Sequence, residues 1–349
     1  MTSSLPTLLG IELPIIQAPM AGSQGSALAI AVSRVGGLGS LPCAMLGVDA
    51  IRTEVAAIRA GIGDKPFNLN FFCHQSPAPD TGREAQWRQA LAPYYNEYGI
   101  DPASITAGSG RNPFTTEAAS LVAELRPAVV SFHFGLPAPE LLAAVRATGA
   151  RVLSSATTLA EGLWLQEHGA DAVIAQGLEA GGHRGHFLSD ELTLQLGTFS
   201  LVPQLARALR VPVIAAGGIG NASGVAAAMA LGAAGVQVGS VYLLCPEAGT
   251  SAIHRAALAS DAARHTALTN LFSGRPARGI VNRLMRELGP LADVAPAFPL
   301  AGGALAPLRA RAEAAGSGDF SPLWAGQSAF GARAMPAAEL TRELARGLG

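Results

Sequence analysis

Lysine is almost absent from this chain: of 24 basic residues only Lys65 is a lysine, and the others are arginines. Chemistry that needs a lysine Schiff base therefore has a single candidate. Cysteine is scarce too. Cys43, Cys73 and Cys245 form no CxxC pair, which argues against a disulfide scaffold or a zinc ribbon. Charged residues make up 14% of the chain, against about 25% in a typical soluble domain. A net charge of −1 excludes the strongly basic surface of a nucleic-acid binder. The first basic residue is Arg34, so the opening stretch lacks the charged region of a signal peptide, and a reducing cytoplasm is the expected compartment.

What is abundant is apolar and small. Hydrophobic residues reach 49%, with 41 glycines and 23 prolines among 349 residues, too apolar for disorder and too unpatterned for collagen. Thirty-six uncharged residues separate Arg210 from Glu247, long enough for a membrane span by length alone. Pro212, Gly217, Gly218, Gly220, Asn221, Ser223 and Gln237 interrupt that run. A lipid-facing helix tolerates such breaks poorly, so the run reads as a buried strand, a small-residue helix and another buried strand.

Short apolar runs recur at Ile15–Met20, Leu38–Pro42, Phe67–Phe72, Val129–Gly135, Arg151–Ala156, Ala172–Gln176, Val211–Ala216 and Val236–Gly239. Most are followed by an Ala-rich helical stretch. Eight such units in about 250 residues suit an α/β fold of the (β/α)8 TIM barrel type. Apolar strands without alternation are what a parallel sheet covered on both faces requires. A doubly wound sheet is the competitor, but its GxGxxG turn is missing. The nearest stretch, Gly218-Ile-Gly220-Asn-Ala-Ser-Gly224, has the wrong spacing.

Two segments break the rhythm. Residues 73–113 hold Trp87, Tyr94, Tyr95 and Tyr98, and residues 266–322 carry Pro290, Pro296, Pro299, Pro307 and Gly302-Gly303. Structureless loops of that length are uncommon in a compact domain. The expected organisation is a barrel over 1–265, with 73–113 contributing to a smaller, mainly helical cap at its C-terminal mouth. Residues 266–322 form the rest of that cap, and 323–349 end in a helix begun by Pro336.

Barrel active sites sit just after the strand C-termini. The polar residues there are Gln17 after strand one, with the apolar Met20 beside it to pack on a ring system or fill core space, Asn68 and Asn70 on strand three, and Ser131 and His133 on strand four. Gln176 through His186 follow strand six. Glycine turns follow strands seven and eight, at Gly217-Gly218 and Gly239-Ser240. Such turns offer backbone N–H groups to a phosphate without any lysine, or they are simply tight turns. Glycines 177, 181, 182 and 185 would let the backbone approach a flat ligand. The enclosed His183 is a general base, an anion-binding donor or a surface residue. His183-x-x-His186 beside Glu179 has a ligand count for a metal, but the glycines argue against the helix such spacing needs, and no metal is expected. His133 on its apolar strand is a core histidine or a functional one.

The runs Pro14-Ile-Ile-Gln-Ala-Pro-Met20-Ala-Gly22, Asn68-Leu-Asn70-Phe-Phe72, Gln176-Gly-Leu-Glu-Ala-Gly-Gly-His183-Arg-Gly185, Ala215-Ala-Gly-Gly218-Ile and Gln237-Val-Gly-Ser240 together resemble the nitronate monooxygenase family, formerly 2-nitropropane dioxygenases. The resemblance implies FMN at the barrel mouth, held by Met20, Asn70, Gln176, Gly181, Gly182, Gly218, Gln237, Val238, Gly239 and Ser240. It implies His183 as the catalytic histidine, acting as base or nitronate-binding partner, with His133 in support. The reaction implied is oxidation of an alkyl nitronate, such as propionate 3-nitronate, by O2 to a carbonyl compound and nitrite or nitrate, in a monomer or homodimer with no nucleic-acid or membrane partner. One departure bears on substrate choice. Some members place tyrosines and a lysine in the C-terminal cap, whereas here no tyrosine lies beyond Tyr242, and the comparable stretch reads Ala297-Phe298-Pro299-Leu300. Two alternatives share the barrel: an FMN-dependent NAD(P)H reductase of quinones or enoyl thioesters, and a non-redox phosphate-binding enzyme.

Overall fold

The computed structural model describes residues 4–105 and 111–349; the part of the expected 73–113 insertion at 106–110 lies outside the described residues. All eight apolar runs become parallel strands: β1 (Ile15–Gln17), β2 (Gly39–Pro42), β3 (Phe67–Phe72), β4 (Val129–His133), β5 (Arg151–Ala156), β6 (Ala172–Gln176), β8 (Val213–Ala216) and β9 (Gly235–Val238). Their order is β1-β9-β8-β6-β5-β4-β3-β2, and a parallel bridge from Ile16 to Leu38 joins the two ends. This is the (β/α)8 barrel. The uncharged run 211–246 supplies β8, the helix Ala222–Ala230 and β9, and among the described residues no helix is long and apolar enough to cross a membrane.

Successive side chains of a strand face opposite ways, which sorts the barrel residues into two cores. Ile16, Val129, Leu153, Ile174 and Ile214 turn inward, where the helix Leu5–Leu9 closes the lower end with Leu5 and Leu9. Val130, Phe132 and Val152 turn outward onto helices Val48–Ile62 and Thr116–Leu125. With one face on helices and the other on the barrel interior, both are mostly apolar, and the interior exceptions satisfy one another, Asn68 donating to the Ser40 and Ser131 hydroxyls at 3.0 and 2.8 Å.

The two irregular segments pack on each other. Helix Thr81–Glu97 meets helix Ala301–Ala314 through Trp87, Leu91, Tyr95, Leu305 and Leu308. Trp87 donates its indole N–H to the Ala301 carbonyl at 3.0 Å, and Tyr95 donates its hydroxyl to the Ala304 carbonyl at 2.8 Å. The structure adds strands that apolar runs did not announce. β7 (Gly182–His183), β10 (Thr266–Thr269) and β11 (Ala277–Ile280) form a small antiparallel sheet in the order β10-β11-β7. It ties the loop after β6 to the segment beyond residue 265, with His183 opposite Ala277. The final helix, Ala337–Ala345, starts behind Pro336 and packs Leu340 and Leu344 on the barrel.

Candidate active site

The strand C-termini open into one cavity that encloses about 1340 Å³ of space between protein atoms, part of it open to solvent. Met20, Asn70, His133, Gln176, Gly181, Gly182, His183, Gly218, Gln237, Gly239 and Ser240 all line it. Val238 does not. Its side chain is buried in the outer core, and its carbonyl accepts from the Ala18 N–H at 2.8 Å.

The loop after β1 is set by amides. Gln24 accepts from Gln17 at 2.6 Å and from the Met20 N–H at 2.9 Å, and it donates to the Ser40 carbonyl at 2.6 Å. Asn70 donates to the Ser131 hydroxyl at 3.0 Å. At the far side, Thr198 and Ser328 hydroxyls donate to the Gly217 and Gly218 carbonyls at 2.9 and 2.7 Å. Because a peptide is trans and planar, those bonds turn the N–H groups of Gly218 and Ile219 the opposite way. Gly217 and Gly218 reach this shape at φ of 109° and 74°, a region that disfavours side chains. Ser240 accepts from the Gly326 N–H at 2.8 Å, which leaves its hydroxyl proton available. A turn of N–H groups, a free hydroxyl and the following helix Ala222–Ala230 make an anion cradle. Gln237 adds a polar demand, for its Oε1 is buried without a partner.

The loop from Gln176 to His186 is held from three sides. Gln176 donates to the His183 carbonyl at 2.9 Å and accepts from the Gly185 N–H at 2.8 Å. Arg184, fully buried, donates to the Gly177 and Gln176 carbonyls at 2.6 and 2.8 Å and to Gln195 at 2.7 Å. His133 completes the frame: its Nε2–H donates to the His183 carbonyl at 3.1 Å, so its Nδ1 accepts from Ser155 at 2.5 Å. Both ring nitrogens are thereby spent on the fold. Burial pushes the His133 imidazole down to about 3, which keeps it neutral. Glu179, left open by the sequence, caps a helix: its two carboxylate oxygens accept from the Thr198 N–H at 3.0 and 2.8 Å. His186 is buried beneath the loop and joins no metal cluster, and no group of metal-ligating residues occurs among the described residues.

His183 lies at the other edge of the cavity. Its Nε2 is 2.8 Å from the Ser273 hydroxyl, and its ring packs on Phe298 and Trp324 at 5.3 and 5.4 Å between centroids. Burial first, then the charges of Arg111 and Arg275, drive its pKa well below the ordinary histidine value. The ring is neutral in a positive field, an arrangement that suits an anion. Sequence reasoning missed Arg111, Ser273, Arg275, Phe72, His74 and Trp324 here. Arg275 lies 4.3 Å from the Phe134 ring, and Arg111 lines the cavity directly. Arg111 and Ser273 sit in irregular segments with no period or motif, so no local signal marks them.

Comparison with known proteins places this geometry. The nitronate monooxygenase family model matches residues 2–347. Two curated nitronate monooxygenases, from Paraburkholderia phytofirmans and Pseudomonas aeruginosa, are each 44% identical over 99% of this chain, covering 94% and 98% of their own lengths. Among solved structures, a nitroalkane oxidase from Streptomyces ansochromogenes superposes with a TM-score of 0.89 at 38% identity, covering 99% of this chain and 98% of its own. FabK from Thermotoga maritima is a more distant likeness, with a TM-score of 0.73 at 26% identity over 99% of this chain and 95% of its own.

Proposed function

This chain belongs to the nitronate monooxygenase family, and from that premise we propose that its barrel mouth holds FMN and that His183 receives the nitro group of an alkyl nitronate beside it. The enzyme is an oxidoreductase that oxidises nitronates; the finer reading is the conversion of a substrate such as propionate 3-nitronate, with O2, to a carbonyl compound and nitrite or nitrate. One observation carries it: the His183 imidazole and a glycine-built anion cradle line one cavity together with the Arg111 guanidinium.

The residues present fit the cofactor. The Gly218 and Ile219 N–H groups and the Ser240 hydroxyl suit its phosphate. The unpartnered Gln237 Oε1 suits an N–H on its ring system. Gly182, with open space where a Cβ would stand, leaves the backbone bare for a flat ring to approach, and Gly181 lets that loop pack on the Ala325-Gly326 backbone. When bound, FMN supplies the acceptor for the electrons leaving the nitronate and the place where O2 is reduced.

His183 does the orienting. The Ser273 hydroxyl is nearer to His183 Nε2, at 2.8 Å, than to its other acceptor, the Arg275 carbonyl, at 3.3 Å. With Ser273 donating to Nε2, the ring proton sits on Nδ1 and is offered to a nitro oxygen. A nitronate has already lost its carbon-bound proton, so a donor serves it better than a base. Arg275 strengthens that pull on an anion. His133 and Gln176 act through the His183 carbonyl and are positioning residues. The free cysteines, two of them buried, support a reducing compartment such as the cytoplasm.

The test is to supply the FMN-loaded protein with propionate 3-nitronate in air and follow O2 uptake and nitrite. Turnover is expected, and His183→Ala is expected to keep FMN and lose most of it. Near-normal turnover in that variant overturns the role of His183. Anaerobic bleaching of the flavin by NADH or NADPH, with the nitronate inert, moves the chain to the reductase alternative.

A further inference from the structure

Arg111 is the only arginine or lysine that lines the cavity among the described residues. Its Nε is buried and meets no hydrogen-bond partner. Neighbouring arginines differ. Arg184 donates to two carbonyls and Gln195, Arg278 to the Leu178 carbonyl, and Arg275 to the His186 carbonyl. The carboxylate that lines the same cavity, Glu179, is already engaged by Thr198. A buried donor left without a partner is costly, so the inner edge of this half-buried guanidinium is one kept for an anionic guest.

Its placement is built. The His74 Nε2–H donates to the Arg111 carbonyl at 3.0 Å. The guanidinium lies 5.7 Å from the centroid of the Phe298 ring, which His74 meets at 4.8 Å and His183 at 5.3 Å. Arg111 and His183 therefore share one aromatic wall of the cavity and reach it from different parts of the chain. Arg111 comes from the segment before β4, whereas His183 comes from the glycine loop. A ligand taken at His183 by its nitro group would present its far end along Phe298 toward Arg111.

We propose that Arg111 is a specificity-determining residue that binds a second anionic group, a carboxylate, on the substrate, so that carboxylated nitronates are preferred over simple alkyl nitronates. A guanidinium is the side chain best matched to a carboxylate because two parallel N–H bonds can form. The cation is supplied from the 73–113 segment, while the C-terminal cap contributes the apolar wall Phe298. The inference rests on His183 taking the nitro group.

Two measurements test it. In steady-state oxidation, Arg111→Met is expected to lower kcat/KM for propionate 3-nitronate by about 10- to 100-fold, the range for losing hydrogen bonds to a charged partner. For propyl-1-nitronate, which has a methyl in place of the carboxylate, the change is expected to stay within about 3-fold, and Arg111→Lys should recover part of the loss. The second measurement is calorimetric binding of two unreactive analogues whose carboxylate stands for the nitro group, succinate and butyrate, to the FMN-loaded protein. The native protein is expected to prefer succinate by about 10-fold or more, and Arg111→Met to lose that preference. Equal losses on both nitronates, no loss on either, or a succinate preference that survives in Arg111→Met each overturns the proposal. If the native enzyme oxidises neither nitronate while the succinate preference depends on Arg111, the reading of the reaction falls and the carboxylate site stands.

Discussion

Acid is expected to weaken this protein well before its carboxylates titrate, because several histidines are folded into places that forbid their charge. Burial pushes His133 and His186 down to about 3 and His254 to about 4, against about 6.5 in an unfolded chain. His186 has Asp190 at 3.4 Å, but that carboxylate is almost fully exposed and so is screened by water, and burial wins. A base whose pKa is lowered by folding is neutral in the native state, so below about pH 6.5 the unfolded chain takes up protons that the native one does not. Stability is then whole above that value and falls as the pH drops toward the native pKa. Between pH 7 and pH 5 each such histidine removes about 2 kcal/mol, and the three together remove about 5 kcal/mol or more, with His183 acting in the same direction. That is a large fraction of the ~5–15 kcal/mol by which domains are stable.

The assay is urea unfolding at pH 7, 6 and 5, with proton uptake on unfolding recorded at pH 5.5. About three protons are expected from these histidines, since an unfolded histidine is about 90% protonated there. His186→Asn should lower the uptake by about one proton. A stability that stays flat from pH 7 to 5.5 would refute the reasoning, since carboxylates begin to contribute only nearer their own range, below about pH 5.

Gly181→Ala is expected to lose flavin and thermal stability together, because an added Cβ would lie 2.5 Å from the Gly326 nitrogen and 2.6 Å from the Ala325 carbonyl carbon; flavin content after gel filtration and the Tm check it. Glu179→Gln removes the charge at the start of helix Thr198–Ala208 and should cost about 1 kcal/mol in urea unfolding, with no change meaning that the cap contributes nothing. His74→Phe unties the Arg111 carbonyl and should raise KM for propionate 3-nitronate by about 3- to 10-fold while kcat moves little; an equal rise for propyl-1-nitronate would count against it. Burial raises the thiols of Cys43 and Cys73, and that of Cys245 to about 12. A disulfide reagent at pH 8 should therefore label none of them in the native protein and all three once it is unfolded.

The barrel was legible in the sequence because burial on both faces makes its strands mostly apolar, with polar residues where they satisfy one another or meet the mouth. Ala172–Gln176 and Phe67–Phe72 were found with the bounds they have in the structure: the first is an apolar run that ends in glutamine, and the second sets Asn68 and Asn70 between apolar residues, as suits a buried strand with a polar row toward the site. The glycine turns were legible for a related reason: Gly217-Gly218 followed by a small-residue helix implies positive φ and free N–H groups wherever it sits. The strands β7, β10 and β11 were not legible. They span two to four residues, too few to show a period, and they exist because His183 pairs with Ala277 across about ninety positions of chain.

The cavity divides along the same line. Local sequence determined which residues stand at the strand ends, His133, Gln176, His183 and Gln237 among them, because strand polarity in a barrel delivers every C-terminus to one mouth. What those residues do was decided only by tertiary contact. His133 became a neutral brace because Ser155 and the His183 carbonyl occupy both its nitrogens, and Glu179 became a helix cap because Thr198 lies within reach. Arg111 was brought over Phe298 from the other end of the chain. Periodicity records which way a side chain faces along its own element, whereas the charge, partner and desolvation that give it a role come from residues the chain places beside it only when it folds.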